Sequence, residues 1–431
     1  MRPPFVRWIP YSTVVPDRLG ALPDAVLQHV LSFLPSRDAV RTCLLARRWR
    51  HQWKSVPALR ITGVDSFESC RDLNDFVNHL IILRDRTRLH ACEIEAYSEY
   101  DGRGNYSADD GSERSRYTDL WTRYALSCQA RLLRLGDRDP ANRIAEHEWV
   151  QLSTSIASPH LTTLELDGVL LSIPSDLDFS ACTNLQTIKM NRCTFQNTTD
   201  YGPVNISSTS MRYLSITDYS FMKHALVSGP SLVYLELADG HQFVPEFGSM
   251  PSLRTASIKL DHSFDRDGED GSWLLGRLSD ITNLALIAEP QMFPVFRKDF
   301  KWCTAFNKLK TLSVNDWCVK PDFRPLLYFL QQSPSLEKLC LQLFMPYLAD
   351  EETDGGYDST EPFLASKHIM VVEIKCRAKD ERAHKISKAL CSYGVSADKI
   401  NIKERIRSSN GKSKFQSSWN FDIFCIPISC C

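Results

Sequence analysis

Residues 185–195 read LQTIKMNRCTF, a segment with apolar residues at its first, fourth and sixth positions. Ile188 and Met190 are two residues apart, so their side chains point to the same side of a short strand. Cys193 and, two residues further on, Phe195 add two more apolar side chains. One unit of this size cannot bury its own apolar side, so the segment predicts a repeat that stacks on further copies of itself.

The same spacing of three apolar anchors, φ-x-x-φ-x-φ, recurs along the chain, and Ala256 is the one anchor that is not Leu, Ile, Val or Met. Most copies begin within the spacing of about 20–29 residues that leucine-rich repeats show. The copies are Leu161-Leu164-Leu166, Leu185-Ile188-Met190, Met211-Leu214-Ile216, Leu232-Leu235-Leu237, Leu253-Ala256-Ile258, Ile281-Leu284-Leu286, Leu309-Leu312-Val314, Leu336-Leu339-Leu341 and Ile369-Val372-Ile374. They predict an α/β solenoid with a curved parallel sheet and with helices or irregular segments on its outer face.

Weaker copies of the pattern precede this array at larger intervals. They are Val56-Leu59-Ile61, Leu89-Cys92-Ile94 and Ala130-Leu133-Leu135. The polar, glycine-containing insert at 97–117 is predicted to be a long loop. The acidic stretches 268–271 and 350–356 are predicted to be loops or linkers.

The segment before the repeats has helical periodicity. Leu27, Val30, Leu31 and Leu34 follow the i, i+3, i+4, i+7 spacing of one helical face. A proline suits the start of this helix because its missing N–H would be unpaired there, and Pro35 ends it.

Two more helices are expected directly after the first. Ser36 is predicted to cap the second helix, which places Val40, Cys43 and Leu44 inward. A short third helix spans 47–53. Three helices in about 40 residues bury too little surface to be stable alone. They form either a helical cap on the larger domain or a helix-in-groove docking module.

These residues resemble the plant form of the F-box. The landmarks are Leu22-Pro23-Asp24, Val30-Leu31-Ser32-Phe33-Leu34-Pro35, Val40-Arg41-Thr42-Cys43, Arg47-Arg48-Trp49-Arg50 and Trp53. Cys43 and Ala46 depart from the pattern, which often has serines there, so helix capping at Ala46 is expected to be weaker. The resemblance implies binding to a Skp-type adaptor and through it to a cullin scaffold. It assigns adaptor contacts to Leu22, Pro23, Leu27, Val30, Leu31, Leu34 and Pro35, and it assigns internal packing to Trp49 and Trp53.

The last repeat leads into a region of different character. A helix carrying Ala383, Ile386 and Leu390 on one side is expected, followed by a strand at 399–402. The sequence Val371-Val372-Glu373-Ile374 resembles the start of the FBD region that closes many plant F-box proteins. Its expected role is to cap the open end of the sheet.

These patterns divide the chain into a series of predicted regions. They are an N-terminal extension (1–16), an F-box (17–57), irregular early repeats with a polar insert (58–160), regular leucine-rich repeats (161–345), an acidic linker (346–366), an FBD-like cap (367–407) and a tail (408–431).

The composition of the chain and its incomplete motifs exclude several classes of function. The net charge of −1 gives no general attraction to nucleic acid or membranes, and neither is expected as a partner. Without a secretory signal, the protein is expected in the cytoplasm, the nucleus or both, with its 14 cysteines reduced. A possible zinc motif at His147-Glu148 lacks the second histidine. No catalytic residue, metal or cofactor is expected.

The resemblance therefore implies a non-catalytic receptor subunit of a ubiquitin ligase, whose F-box binds the adaptor and whose repeats bind a target protein. Two alternatives remain open at this stage. One is a leucine-rich-repeat scaffold that acts outside any ligase. The other is a receptor for a small, hormone-like molecule.

The target is expected on the concave face of the sheet. The residue before each second anchor forms one column, in which Tyr213 and Tyr234 are adjacent. Glu165, Glu236 and Lys259 are assigned to the next column. Aromatic residues dominate interface hot spots, so the tyrosines are candidate anchors for the target. The alternative is that they only stack on each other or lie under a loop.

Overall fold

The computed structural model describes residues 21–95, 110–136, 150–152, 155–173, 176–197, 204–222, 224–241, 245–260, 274–289, 305–319, 323–344 and 368–405. Their α-helices are α1 (Asp24–Leu31), α2 (Ser36–Arg41), α3 (Cys70–Leu83), α4 (Asp110–Ser127), α5 (Arg324–Gln332) and α6 (Glu381–Ser392). Short 3-10 helices cover Thr42–Leu44, Arg47–Ser55, Val64–Ser66, Leu275–Leu278, Asp316–Val319 and Ala397–Lys399.

One 13-stranded sheet runs through the whole described chain, and every neighbouring pair of strands in it is parallel. In spatial order the strands are β1 (Ala58–Ile61), β2 (Ala91–Glu95), β3 (Leu132–Gly136), β5 (Thr163–Asp167), β8 (Thr187–Asn191), β11 (Tyr213–Thr217), β14 (Tyr234–Ala238), β16 (Thr255–Leu260), β17 (Asn283–Ala288), β18 (Thr311–Asn315), β19 (Lys338–Leu343), β20 (Val371–Arg377) and β21 (Ile400–Arg405).

The buried side of this sheet carries the repeat anchors. All anchors of the nine regular copies are buried, and the most accessible of them, Leu253, is only 6% exposed. The small anchor Ala256 is completely buried as well. Each strand aligns with the next so that second anchors face second anchors, as Leu214 faces Leu235. The predicted leucine-rich-repeat solenoid is confirmed.

The weaker upstream copies are full members of the same sheet. Strands β1, β2 and β3 carry their anchors, which are buried like those of the regular copies. The polar insert was predicted to be a loop throughout, and this is wrong for its second half, because α4 begins at Asp110. Trp121 and Ala125 on α4 are buried, so packing of this helix against the coil overrides the polar composition of its first turns.

The outer face of the central coils differs from the prediction of helices or irregular segments. Two further four-stranded parallel sheets cover it. One contains β4 (Val150–Leu152), β6 (Val169–Ile173), β9 (Thr194–Asn197) and β12 (Ser220–Phe221), and the other contains β7 (Asp176–Asp178), β10 (Val204–Ser207), β13 (Ala225–Ser228) and β15 (Glu246–Phe247).

Coil length gives the physical reason for these outer strands. A helix advances only about 1.5 Å per residue, whereas a strand advances about 3.3 Å. The central coils are the short ones, with starts at 161, 185, 211 and 232. Extended segments span the return path with the few residues available. The longer coils near both ends of the array have room for α3, α4, α5 and α6.

A repeated turn leads from the main sheet into the outer strands. Gly168, Arg192, Asp218 and Asp239 each follow a main-sheet strand, and each has φ between 51° and 64°. The backbone N–H of Arg192 donates to the carbonyl oxygen of Thr217 at 2.9 Å. The N–H groups of Gly168 and Asp218 donate in the same way to the last residue of the next main-sheet strand. Glycine is the residue that adopts this left-handed conformation most readily, yet three of the four positions hold Arg or Asp.

The C-terminal region adds two strands to the sheet. Ala383, Ile386 and Leu390 on α6 are buried at 1% exposure each, as the helical spacing predicted. The strand expected at 399–402 is present as β21 and pairs with β20. The region therefore extends the sheet while α6 covers the end of the core.

Some predictions fall outside the described residues. They are the extension 1–16, the first part of the polar insert (97–109), His147-Glu148, the loop at 268–271, the acidic linker 346–366 with the stretch 350–356, and the tail 408–431. Within the part of the chain that is described, no helix combines the length and apolar character that crossing a membrane requires.

Candidate protein-binding surfaces

The N-terminal module packs around a small core of its own. Leu27 and Leu31 on α1 are at most 1% exposed, and Trp49 and Trp53 on the 3-10 helix are less than 9% exposed. The indole N–H of Trp53 donates to the Arg50 carbonyl oxygen at 3.1 Å. The two tryptophans hold the module together, as the sequence suggested.

Two local predictions for this module are wrong. Pro35, not Ser36, occupies the cap position of α2, and the Ser36 hydroxyl instead accepts the backbone N–H of Arg60 at 3.0 Å. Leu44 was expected to point inward but is 84% exposed. The chain changes from α-helix to 3-10 helix at Thr42. This change moves Leu44 away from the side on which Val40 packs, since the i, i+4 relation holds only within an α-helix.

The residues predicted to contact an adaptor fall into three groups by exposure. Leu27 and Leu31 lie in the protein's own core and offer a partner no surface, so the prediction is corrected for them. Pro23, Val30 and Leu34 are exposed. Leu22 and Pro35 are half-buried.

The exposed apolar surface of the module is larger than the sequence pattern predicted. Val26 lies one turn before Val30 on the same side of α1, and Phe33 follows at 66% exposure. Leu44 and Leu45, at the end of the 3-10 helix that follows α2, add two largely exposed side chains. The signal for Val26 was present in the sequence, because a helix with apolar residues on two adjoining faces has two surfaces to cover. We call Val26, Phe33, Leu44 and Leu45, together with Val30 and Leu34, the apolar stripe.

Two arginines join the module to the first coil of the solenoid. Arg60 on β1 donates to the Ser32 carbonyl oxygen at 2.7 Å and pairs with Glu93 on β2 at 2.5 Å. Arg84, which is buried, donates to the carbonyl oxygens of Trp53 and Val56. Buried charge-assisted hydrogen bonds are strong, so the module sits against the repeats and not on a free linker.

The concave column that contains the two tyrosines has the predicted register. Tyr213 pairs with Thr187 on one side and with Tyr234 on the other. The two rings stack in parallel, with centroids 4.5 Å apart and an interplanar angle of 1°. Both side chains are half-buried. Burial and then the nearby charge of Glu236 raise the pKa of Tyr213 to about 12.

The next column, which we call the central column, forms an alternating charge ladder. In order of the strands it reads Arg60, Glu93, Arg134, Glu165, Lys189, Ser215, Glu236, Ser257, Ala285, Ser313, Cys340, Glu373 and Asn401. Glu165 contacts Arg134 at 2.5 Å and Lys189 at 3.2 Å. Burial alone would raise the pKa of Glu165, but hydrogen bonds from these two cations outweigh it and lower the pKa.

Lys259 was assigned to this column, and the assignment is wrong. Its neighbour on the following strand is Ile287, whereas Ser257 is the residue aligned with Glu236. Lys259 comes directly after the third anchor of its copy, and the central column contains the residue between the second and third anchors. Its ammonium group pairs with Asp239.

The central column is covered on the four strands after Glu236 and becomes accessible again at Glu373 and Asn401. The residues that follow it on the next strands are small and at most 5% exposed: Ser257, Ala285, Ser313 and Cys340. Within the described chain, the accessible part of the central column therefore lies on the strands that precede β16 and again on β20 and β21.

The described residues contain no cluster of metal ligands, and most of their cysteines are buried. Among the described residues, no three His, Cys, Asp or Glu side chains lie close enough together to bind a metal ion. The ten described cysteines are free thiols, and most are buried. Burial raises the pKa of the Cys92 and Cys193 thiols to about 12, so these cysteines act as apolar side chains in the core.

Comparison with known proteins fits this architecture. The family model for the F-box domain matches residues 19–60. The chain thus carries an F-box domain at residues 19–60, and a leucine-rich-repeat solenoid follows it.

Curated relatives extend the resemblance over most of the chain. An FBD-associated F-box protein of Arabidopsis thaliana is 24% identical over 88% of this chain and 87% of its own length. A second FBD-associated F-box protein from that plant is 26% identical over 75% and 77%, respectively. The MEIOTIC F-BOX protein MOF of Oryza sativa subsp. japonica is 25% identical over 75% and 71%. No solved structure matches the chain. The resemblance to plant F-box proteins with repeats and an FBD-like region is confirmed.

Proposed function

We propose that this protein is the substrate-recognition subunit of an SCF-type cullin-RING ubiquitin ligase. The F-box binds a Skp-type adaptor, and the concave face of the solenoid binds a target protein. The chain contributes no catalytic residue. It raises the effective concentration of target lysines near a separately bound ubiquitin-conjugating enzyme, which is catalysis by proximity.

The observation that carries the proposal is the apolar stripe on the F-box. Monomeric proteins rarely leave several large apolar side chains exposed together, and such surfaces mark binding sites. Val26 and Val30 are 41% and 48% exposed on one side of α1, while Leu27 and Leu31 on the adjoining side form the core. The helix thus has one side for the protein and another for a partner, as a helix-in-groove interface requires.

The structure also supports a fixed geometry between the two binding surfaces. Arg60 contacts the F-box through Ser32 and the concave charge ladder through Glu93. An adaptor bound to the F-box and a target bound to the concave face would therefore hold a defined orientation. Such an arrangement suits the delivery of ubiquitin to particular lysines.

Changing Val30 to Asp tests adaptor docking. We expect Val30→Asp to weaken binding of the full-length chain to a Skp-type adaptor by at least about 30-fold, because a charge in a desolvated hot spot removes about 2 kcal/mol or more. Biolayer interferometry with immobilised adaptor measures the change.

Ile82→Asp is the matched control. Ile82 is 77% exposed at the end of α3 and is not part of the apolar stripe, and it too changes from a β-branched aliphatic residue to Asp. Its adaptor affinity should equal that of the wild type. Equal affinities for all three proteins, or equal losses in both variants, would rule out the apolar stripe as the adaptor surface. The chain would then be better described as a repeat scaffold acting outside a ligase.

We place the target on the concave face around Tyr213 and Tyr234. The stacked rings offer a rigid, half-exposed aromatic surface with few rotatable bonds, which is the kind of surface that dominates binding energy at interfaces. They lie on β11 and β14, next to the predicted contact residue Glu236. Glu165 remains a second candidate contact, although its charge is already paired within the ladder. Lys259, which pairs with Asp239, lies outside the central column.

A further inference from the structure

Glu236 differs from the other carboxylates of the central column. Glu93, Glu165 and Glu373 each lie within 4 Å of a Lys or Arg side chain. Glu236 has no such cation among the described residues. Its carboxylate accepts the Ser215 hydroxyl at 2.6 Å and the Tyr213 hydroxyl at 3.5 Å.

The neighbouring strands explain why the ladder stops there. The alternation of charge runs from Arg60 to Lys189, and Glu236 continues the series two strands later. The positions on both sides of Glu236 hold serines, Ser215 and Ser257, instead of basic residues. Lys189 already forms an ion pair with Glu165 and does not pair with Glu236.

The surroundings of Glu236 favour a cation. A half-buried carboxylate has lost part of its hydration, and two neutral hydroxyl donors replace it only in part. The stacked rings of Tyr213 and Tyr234 lie beside it, and the faces of aromatic rings attract cations. The carboxylate of Glu236 and the faces of the two rings therefore both attract a cation, and they lie on the same side of the sheet.

We propose that Glu236, Tyr213 and Tyr234 receive a lysine or arginine side chain of the target protein. The basic side chain takes the place in the ladder that this chain leaves without a cation. It forms an ion pair with Glu236 and lies against a tyrosine ring. This inference rests on the proposed role of the concave face in target binding, and it names the chemistry that the face selects.

Two exposed arginines lie nearby and oppose a cation. Arg212 and Arg254 precede the strands that carry Ser215 and Ser257, three residues from those positions. Three residues of strand correspond to about 10 Å between backbone positions, and exposed charges at such separations are screened over a Debye length of about 8 Å at physiological salt. Their repulsion is therefore largely screened, whereas direct contact with Glu236 is not.

A random peptide display library panned on the full-length chain tests the inference. The wild type should enrich peptides with Lys or Arg at one fixed position. For a synthetic peptide of the enriched sequence, Glu236→Gln should weaken binding by at least about tenfold, because it removes the charge and keeps the acceptor for Ser215. Glu236→Lys should instead enrich peptides with Asp or Glu at that position. Asp280→Asn, a loss of the same charge at an exposed edge position, should change nothing.

The outcomes separate this inference from the proposed function. Panning needs no adaptor, so adaptor docking and peptide selection succeed or fail independently. If Tyr213→Ala with Tyr234→Ala abolishes enrichment while Glu236→Gln leaves the basic preference intact, the face stands and the inference is wrong. Enrichment without a basic position, or no enrichment by a wild-type chain of normal melting temperature, also overturns it.

Discussion

Leu235→Asp should unfold or aggregate the protein. Leu235 is completely buried on β14, between Leu214 and Ala256 on the neighbouring strands. An unpaired carboxylate at this position loses its hydration and finds no donor, which costs several kcal/mol, a large share of the about 5–15 kcal/mol that stabilises a typical protein. Thermal melting followed by circular dichroism measures the effect.

The adjacent residue provides the control. Glu236 points to the concave side, and Glu236→Ala removes only its hydrogen bonds with Ser215 and Tyr213. We expect a loss of about 1 kcal/mol or less. Comparable losses of stability in the two variants would contradict the register of the solenoid, since register decides which of two consecutive residues is buried.

Arg382→Met should destabilise the C-terminal region by about 3–5 kcal/mol, because it leaves a buried carboxylate without its cation. Arg382 on α6 contacts Asp316 at 2.7 Å and Asp380 at 2.7 Å. The Asp316 side chain is 4% exposed, and its second oxygen accepts the backbone N–H of Phe344 at 3.0 Å. Chemical denaturation and hydrogen exchange of α6 measure the loss.

Lys385→Met tests whether any loss of positive charge on α6 has this effect. Lys385 is exposed on the same helix, so its replacement should change stability by less than about 0.5 kcal/mol. A similar small change for Arg382→Met would show that the ion cluster does not hold α6 on the repeats.

The same cluster predicts acid sensitivity. Burial alone would raise the pKa of Asp380, but hydrogen bonds from Arg382 outweigh it, and the pKa lies below its ordinary value. A carboxyl group whose pKa is lower when folded stabilises the protein above its unfolded pKa of about 3.9 and loses that contribution as the pH falls through the folded pKa. Asp380→Asn should therefore flatten the loss of stability below about pH 4.

The positions of the strands could be predicted because each strand must bury one side, which requires apolar residues at fixed spacings in the sequence. An anchor that is two residues from its partner must share a face with it, and the sheet must align the copies. The same rule would have identified the charge ladder, since Arg60, Glu93, Arg134 and Lys189 each stand between second and third anchors. It would also have excluded Lys259, which follows the third anchor.

Other features depend on information that the local pattern lacks. The outer strands of the central coils follow from coil length and the path that the chain must span, which apolar spacing alone does not report. Leu44 became exposed because an α-helix changed to a 3-10 helix at Thr42, a change of hydrogen bonding with no clear sequence mark. The isolation of Glu236 from any described cation depends on how far neighbouring side chains reach.

Assembly of the full-length chain with a Skp-type adaptor and a cullin tests the central claim most directly. Native mass spectrometry should detect a complex with one copy of each protein, and the cullin should be absent whenever the adaptor is left out. Val30→Asp should remove both partners together, while Ile82→Asp should leave the complex intact. A wild-type chain that stays separate from the adaptor, or a Val30→Asp chain that assembles normally, would contradict the account.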